Sequence, residues 1–238
     1  MATKREYKEF PLKVKIGDYT TPIGVGVYPH LVKADTKWKP EGEFRTKLKY
    51  DAATADKIRA DLTKALDVAF ETYKELLLQF NKKGKALVKT VTKAALPLTA
   101  ETDDEGDETG FFLLNTKRTA SGKKKNGEVW KAKIVIADSR GVAVPTKNLQ
   151  IWSGTEMRVM GEIKAWYNAK DNQIGISVEI VGVQIKKLVS GGDRDVNFDA
   201  IEDDDGDSWT ADMMDSGADT DADDDADGDE TSDDTPDF

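Results

Sequence analysis

Glu43-Phe44-Arg45-Thr46-Lys47-Leu48-Lys49-Tyr50 alternates without a break. Phe44, Thr46, Leu48 and Tyr50 fall on one face, and Glu43, Arg45, Lys47 and Lys49 on the other. Successive side chains of a strand point to opposite faces, so the segment predicts a half-buried β-strand whose outer surface is mostly cationic. Working outward, further β-rich runs lie at about 23–33, 111–118, 128–137, 155–168 and 173–189, with a weaker one at 10–16. Asn126-Gly127, Ser139-Arg140-Gly141 and Lys170-Asp171-Asn172 mark turns between them.

One helix interrupts the strands. Ile58, Leu62, Leu66, Phe70, Tyr73, Leu77 and Phe80 recur at steps of three or four and make one apolar stripe. Asp51 or Thr54 is suited to cap its start, and Asn81 with Gly84 marks its end. Strands, a helix, then more strands predict a mainly β chain: a five-stranded OB-fold barrel with one long α-helix across an end. A β-sandwich carrying one helix fits the same pattern. Seven runs exceed five strands, which implies an added hairpin or two.

Charge divides the chain. The net charge is −10, yet residues 199–238 hold 19 acidic side chains and no Lys or Arg. That leaves 26 acids against all 35 basic residues in the body, a balance of +9. The expected organisation is a basic domain over residues 1–192 and a disordered acidic tail over 193–238, too poor in large apolar groups to offset its ordering entropy. No apolar run approaches the roughly 20 residues that span a bilayer, and no apolar stretch follows the first charged residues. The chain is expected to be soluble and to stay where it is made.

Enzyme chemistry finds little purchase. There is no cysteine, and His30 is the only histidine, so a His-based metal cluster cannot be assembled; a lone histidine in a strand reads as an ordinary surface or packed residue, and no Ser-His-Asp triad is expected around it. Gly24-Val25-Gly26 lacks the third glycine and the helix start of a phosphate loop. Asp223, Asp225, Asp227, Gly228 and Asp234 match a calcium loop by spacing alone, without flanking amphipathic helices and in a segment where Asp is everywhere. No catalytic residue, metal site or cofactor is expected.

The body instead sets cations beside aromatic rings, the combination that holds single-stranded nucleic acid: cations neutralise phosphates and exposed rings stack on bases. On 155–168, Trp166 shares a face with Arg158 and Lys164, which predicts a stacking platform. On 128–137, Trp130 shares its face with Ala132, Ile134 and Ile136, which predicts a core residue, with Lys131 and Lys133 opposite. Trp38 and Trp152 lie near turns and fit either role. Lys123-Lys124-Lys125-Asn126-Gly127 reads as a cationic hairpin tip. The candidate contact set is Trp38, Arg45, Lys47, Lys49, Lys131, Lys133, Arg158, Lys164 and Trp166. In the tail, Trp209, Asp237 and Phe238 are candidates for partner binding, because a terminal aromatic with a free carboxylate suits a pocket. Nineteen tethered negative charges would also compete with nucleic acid for the basic body.

Several of these segments together resemble the single-stranded DNA-binding proteins of short-tailed coliphages that carry their own DNA polymerase and primase–helicase. The resemblance runs through the basic strand 43–50 and the helix 54–80, Phe111-Phe112, and the stretch from Lys133 to Gly141. It continues through Gly191-Gly192, the run Glu202-Asp203-Asp204-Asp205-Gly206-Asp207-Ser208-Trp209 and the terminal Asp237-Phe238. The Lys-rich segment 82–93 and the acidic loop 101–108 depart from that pattern. The resemblance implies an OB-fold, a homodimer, and single-stranded DNA binding in replication, recombination, repair and strand annealing. It also implies tail contacts to the phage polymerase and primase–helicase, all in the cytoplasm of an infected bacterium. The rival reading is an acidic-tailed protein–protein adaptor or histone-like chaperone.

Overall fold

The computed structural model describes Tyr7 and residues 9–190, so expectations for Gly191-Gly192, Trp209, Asp237, Phe238 and the acidic tail lie outside the described residues. Along the chain run β1 (Lys13–Thr20), β2 (Gly24–Asp35), β3 (Glu43–Tyr50), α1 (Ala52–Phe80), α2 (Gly84–Thr90), β4 (Thr92–Lys93), β5 (Leu98–Thr102) and β6 (Glu108–Thr119). Then follow β7 (Ser121–Lys123), β8 (Val129–Lys131), β9 (Val135–Ala137), β10 (Glu156–Asn168) and β11 (Gln173–Lys187).

Five strands close a ring. β2 pairs with β3, β3 with β6, β6 with β11, β11 with β10, and β10 returns to β2 through Glu156 opposite Val25 and Met157 opposite Gly24. The β6–β11 pairing is parallel and the other four are antiparallel. This is the expected OB barrel. β1 extends it alongside β10, β5 alongside β6, and β4 and β9 add parallel to β11. β7 and β8 form a separate hairpin whose turn carries Lys124 to Gly127, the cationic tip read from the sequence.

Alternation decides what fills the ring. Phe44, Thr46, Leu48 and Tyr50 of β3 are buried, as are Met157, Val159, Ile163 and Ala165 of β10. Each fully buried aliphatic side chain contributes about 1.5–3 kcal/mol. Thr46 and Thr116 take hydroxyls inside with partners: the Thr116 hydroxyl donates to the Thr46 carbonyl at 2.9 Å, and the Thr46 hydroxyl to the Lys47 carbonyl at 3.2 Å.

Asp51 caps α1 by accepting from the Thr54 N–H at 2.8 Å, and that hydrogen bond holds its carboxyl below the usual range. Ile58, Leu62, Leu66, Tyr73 and Leu77 enter the core as the stripe predicts, but Phe70 and Phe80 stay half-buried and Ala69 is buried instead. At the C-terminal half, the rings of Tyr73, Phe80 and Tyr167 gather around Phe10, with centroids 5.8–6.5 Å from it.

Two expectations are corrected. Residues 128–137 are not one strand: β8 belongs to the hairpin and β9 to the barrel, with Ala132 crossing between them. The Trp130 indole is therefore 37% exposed rather than core, because its strand pairs only with β7. Among the described residues no helix is long and apolar enough to cross a membrane.

Candidate nucleic-acid interface

The outer surface of β3 and β6 is cationic for a reason legible in the register. Arg45 stands directly opposite Lys117, and Lys47 opposite Asn115. Like charges directly opposite each other across a ladder cost stability, so the pair is held there by the fold rather than by mutual attraction. Arg45 meets Asp35 at 2.6 Å, and its Nε is buried without a hydrogen-bond partner among the described residues. Lys47 and Lys117 have no carboxylate within ion-pair distance among the described residues.

Arg45, Lys47, Asn115 and Lys117 line a groove of about 630 Å³. Trp166, Ile176 and Ser177 line it from β10 and β11, Ala95 and Pro97 from the link between β4 and β5, and Val27 and the exposed Tyr28 from β2. Trp166 is half-buried: Gly175 stands opposite it in register, and three atoms of its six-membered ring lie within 2.6 Å of where a side chain at 175 would begin. Only glycine permits that approach, and the ring is thereby pressed against the barrel with the groove beside it. Tyr28 is 75% exposed and has φ of 48°, the left-handed region that favours glycine. It sits at an irregularity of the β2–β3 pairing, and its N–H donates to the Ser153 hydroxyl at 2.9 Å. Strain of this kind concentrates where a side chain is presented for function.

The remaining candidates are distributed around this centre. Trp38 lies in the β2–β3 connection, 75% exposed, with the Lys37 ammonium 5.1 Å from its ring. Lys49 flanks the groove but is paired with Glu101 at 2.6 Å and lies 4.4 Å from the ring of Phe111. Lys164 points outward as expected, yet it is held by Glu179 at 3.0 Å and Glu162 at 3.2 Å. Burial pushes Lys164 down, and the hydrogen bonds it donates to Glu179 and Glu162, with the attraction of both carboxylates, more than restore it, leaving it above the usual lysine value. Arg158 is elsewhere: it donates to Gln184 at 2.8 Å in a separate depression with Ile23 and Lys186. Lys131 and Lys133 are exposed on the hairpin and the link that follows it. Arg45, Lys47 and Trp166 thus meet in one place, and Arg158, Lys131 and Lys133 do not join them there.

Lys117, Asn115 and Tyr28 were missing from the candidate set. Parity held the signal for two of them: with Leu114 and Thr116 inside, Asn115 and Lys117 must face out. Which strand they face out beside depends on pairing, which the local pattern does not carry. Among the described residues no group of His, Cys, Asp and Glu side chains is placed to hold a metal ion.

No family model matches the chain, and no curated protein matches it by sequence. Solved structures do. The fold is similar to that of gp2.5, a single-stranded DNA-binding protein encoded by bacteriophage T7, with a TM-score of 0.56 and 16% identity over 76% of this chain and 98% of that one. It is also similar to the single-stranded DNA-binding protein from bacteriophage Enc34 in complex with ssDNA, at a TM-score of 0.50 and 14% identity, covering 74% of this chain and 93% of that one. The resemblance drawn from the sequence is met at the level of the fold.

Proposed function

We propose that this chain binds single-stranded DNA along the groove between Tyr28 and Trp166. The observation that carries the reading is the row of Arg45, Lys117 and Lys47, forced together by strand register beside a ring seated on Gly175. A strand laid there would have its phosphates neutralised by the row and a base stacked on the indole, neither of which requires a particular sequence. The likeness to phage proteins whose own names record single-stranded DNA binding supports the reading.

The finer role is the one that the family resemblance of the sequence implies, joined to its division into a basic body and an acidic segment. The domain over residues 1–192 coats single strands in a phage replisome and assists replication, recombination, repair and annealing, without enzymatic activity of its own. The acidic segment 193–238 competes with DNA for the basic groove. Through Trp209 and its last residues, Asp237 and Phe238, it docks the phage polymerase and primase–helicase. The protein acts as a homodimer in the cytoplasm of the infected bacterium.

Tryptophan-fluorescence titration with single- and double-stranded oligonucleotides over a salt series tests this, using the full chain and a chain ending at Phe198. Preference for single strands, a steep salt slope and tighter binding by the shorter chain are expected. Absence of binding by both chains overturns the proposal and gives the lead to an adaptor or chaperone working through its acidic segment.

A further inference from the structure

We propose that Lys82, Lys83, Lys85 and Lys89, with Lys170, form a second phosphate-binding surface that takes up the single strand as it leaves the groove past Trp166. The inference rests on the groove reading and extends it.

Between Leu76 and Ala100 the sequence contains five lysines and no acidic residue. The structure gathers four of them at one corner. Asn81 ends α1, and α2 starts at Gly84, whose backbone packs so closely on α1 that a side chain there would begin 2.1 Å from the Leu77 carbonyl oxygen. Lys82 and Lys83 occupy the corner itself. Lys85 and Lys89 follow on α2 at a spacing of four, a like-charge arrangement that a helix disfavours and that packing alone does not call for. All four are exposed, as is Lys170, and none has a carboxylate within ion-pair distance among the described residues. Lysines nearby are treated differently: Lys93 pairs with Asp67, Lys74 with Glu71, and Lys164 with Glu179.

Hydrogen bonds fasten this corner to the β10–β11 turn. Asn172, in the β10–β11 turn, donates to the Leu87 carbonyl at 3.1 Å and to the Thr90 hydroxyl at 2.9 Å, while accepting from the Tyr167 hydroxyl at 2.9 Å. β4 then pairs with β11 at Thr92 opposite Gln173. Gln173 is two residues from Gly175, the seat of Trp166, a span of about 7 Å along a strand. Ala95 and Pro97 continue from β4 into the groove wall. Going from Trp166 toward the turn leads away from Glu162 and Glu179, which stand opposite each other four residues back along β10 and β11, so a single strand taking that direction would leave both carboxylates behind. The chemistry suited to them is a phosphodiester backbone, bound by charge without base recognition.

The test compares the full-length protein with a K82Q/K83Q/K85Q/K89Q variant, and with a control carrying the same number of changes remote from the corner, K57Q/K64Q/K147Q/K187Q. Each is titrated over salt with oligonucleotides of about 5 and about 16 nucleotides, the range of site sizes for one OB fold. On the short strand all three proteins are expected to bind alike, which also certifies that the variants fold. On the long strand the corner variant is expected to bind more weakly, with a log–log salt slope shallower by about 3 for four lost phosphate contacts. Its deficit should then shrink about 50-fold between 50 and 200 mM salt. Equal behaviour of the corner variant and wild type on the long strand overturns the proposal, as does an equal deficit in the control or on the short strand. Failure of the wild type to bind either strand is a different result, and it removes the groove reading itself.

Discussion

The Trp166 ring stands where a side chain at Gly175 would be, three of its atoms lying within 2.6 Å of that position. The same device recurs at the hairpin, where the Trp130 ring lies 2.7–2.9 Å from the position a side chain at Gly122 would take. At Trp166 the seat opens on a cationic groove, so the ring is both packed and presented. Trp166→Ala is expected to cost about 1–3 kcal/mol of single-strand affinity, roughly 5- to 150-fold, while the protein still folds. Gly175→Ala should lower affinity while keeping the indole, by displacing it. Fluorescence titration beside thermal unfolding checks both; retained affinity in Trp166→Ala would remove the ring from the binding surface.

Arg45 and Lys117 stand as like charges opposite each other across the β3–β6 ladder, only partly offset by Asp35 beside Arg45, and Lys47 stands two pairs further along on the same face. A site kept for binding at the expense of stability predicts opposite signs for the two properties. Lys117→Ala is expected to raise unfolding stability by about 0.2–1 kcal/mol through relief of the like-charge pair. Its DNA salt slope should become shallower by about 0.7, and that of Lys47→Ala/Lys117→Ala by about 1.4. Chemical denaturation and salt-series titration measure each; a stability loss in Lys117→Ala would assign the lysine a structural role.

Much of this architecture was legible in local pattern. The strict alternation of Glu43–Tyr50 sorted Arg45 and Lys47 from Phe44 and Leu48, Asp51 caps the helix start through its side chain, and the helix ends at Asn81, which is extended rather than left-handed. Pairing was not legible, because it joins residues far apart in sequence. It was pairing that moved Trp130 out of the core, put Lys164 between two carboxylates, and separated Arg158 from the groove. Tyr28 shows a different gap: a tyrosine with positive φ carries no sequence signal, since the local preference would place glycine or asparagine there.

That strain is itself testable. An asparagine tolerates the left-handed backbone, and Tyr28 buries little of its ring. Tyr28→Asn is therefore expected to raise stability by up to about 1 kcal/mol, while weakening binding of single strands that reach the groove rim. Equal affinity would show that the rim tyrosine does not touch DNA.

Glu179 governs how much charge the β10–β11 side offers. Burial pushes its carboxyl up, but hydrogen bonds and attraction from Lys13 and Lys164 outweigh burial and hold it below the ordinary glutamate value. A carboxyl lowered in the folded state contributes stability above its unfolded pKa, and that contribution is lost as pH falls through the folded value. Glu179→Gln should therefore be less stable than wild type at pH 7, with the gap closing as pH is taken below the glutamate range. The same change leaves Lys164 with Glu162 alone and frees Lys13 of its carboxylate. Single-strand affinity at pH 7 should rise and its salt slope steepen, because two ammonium groups flanking Trp166 become available to phosphate. Thermal unfolding across pH and a salt titration at pH 7 read the two effects separately. A stability gap that persists in acid would mean that the glutamate acts by packing, and an unchanged salt slope would mean that the strand does not pass this side of Trp166.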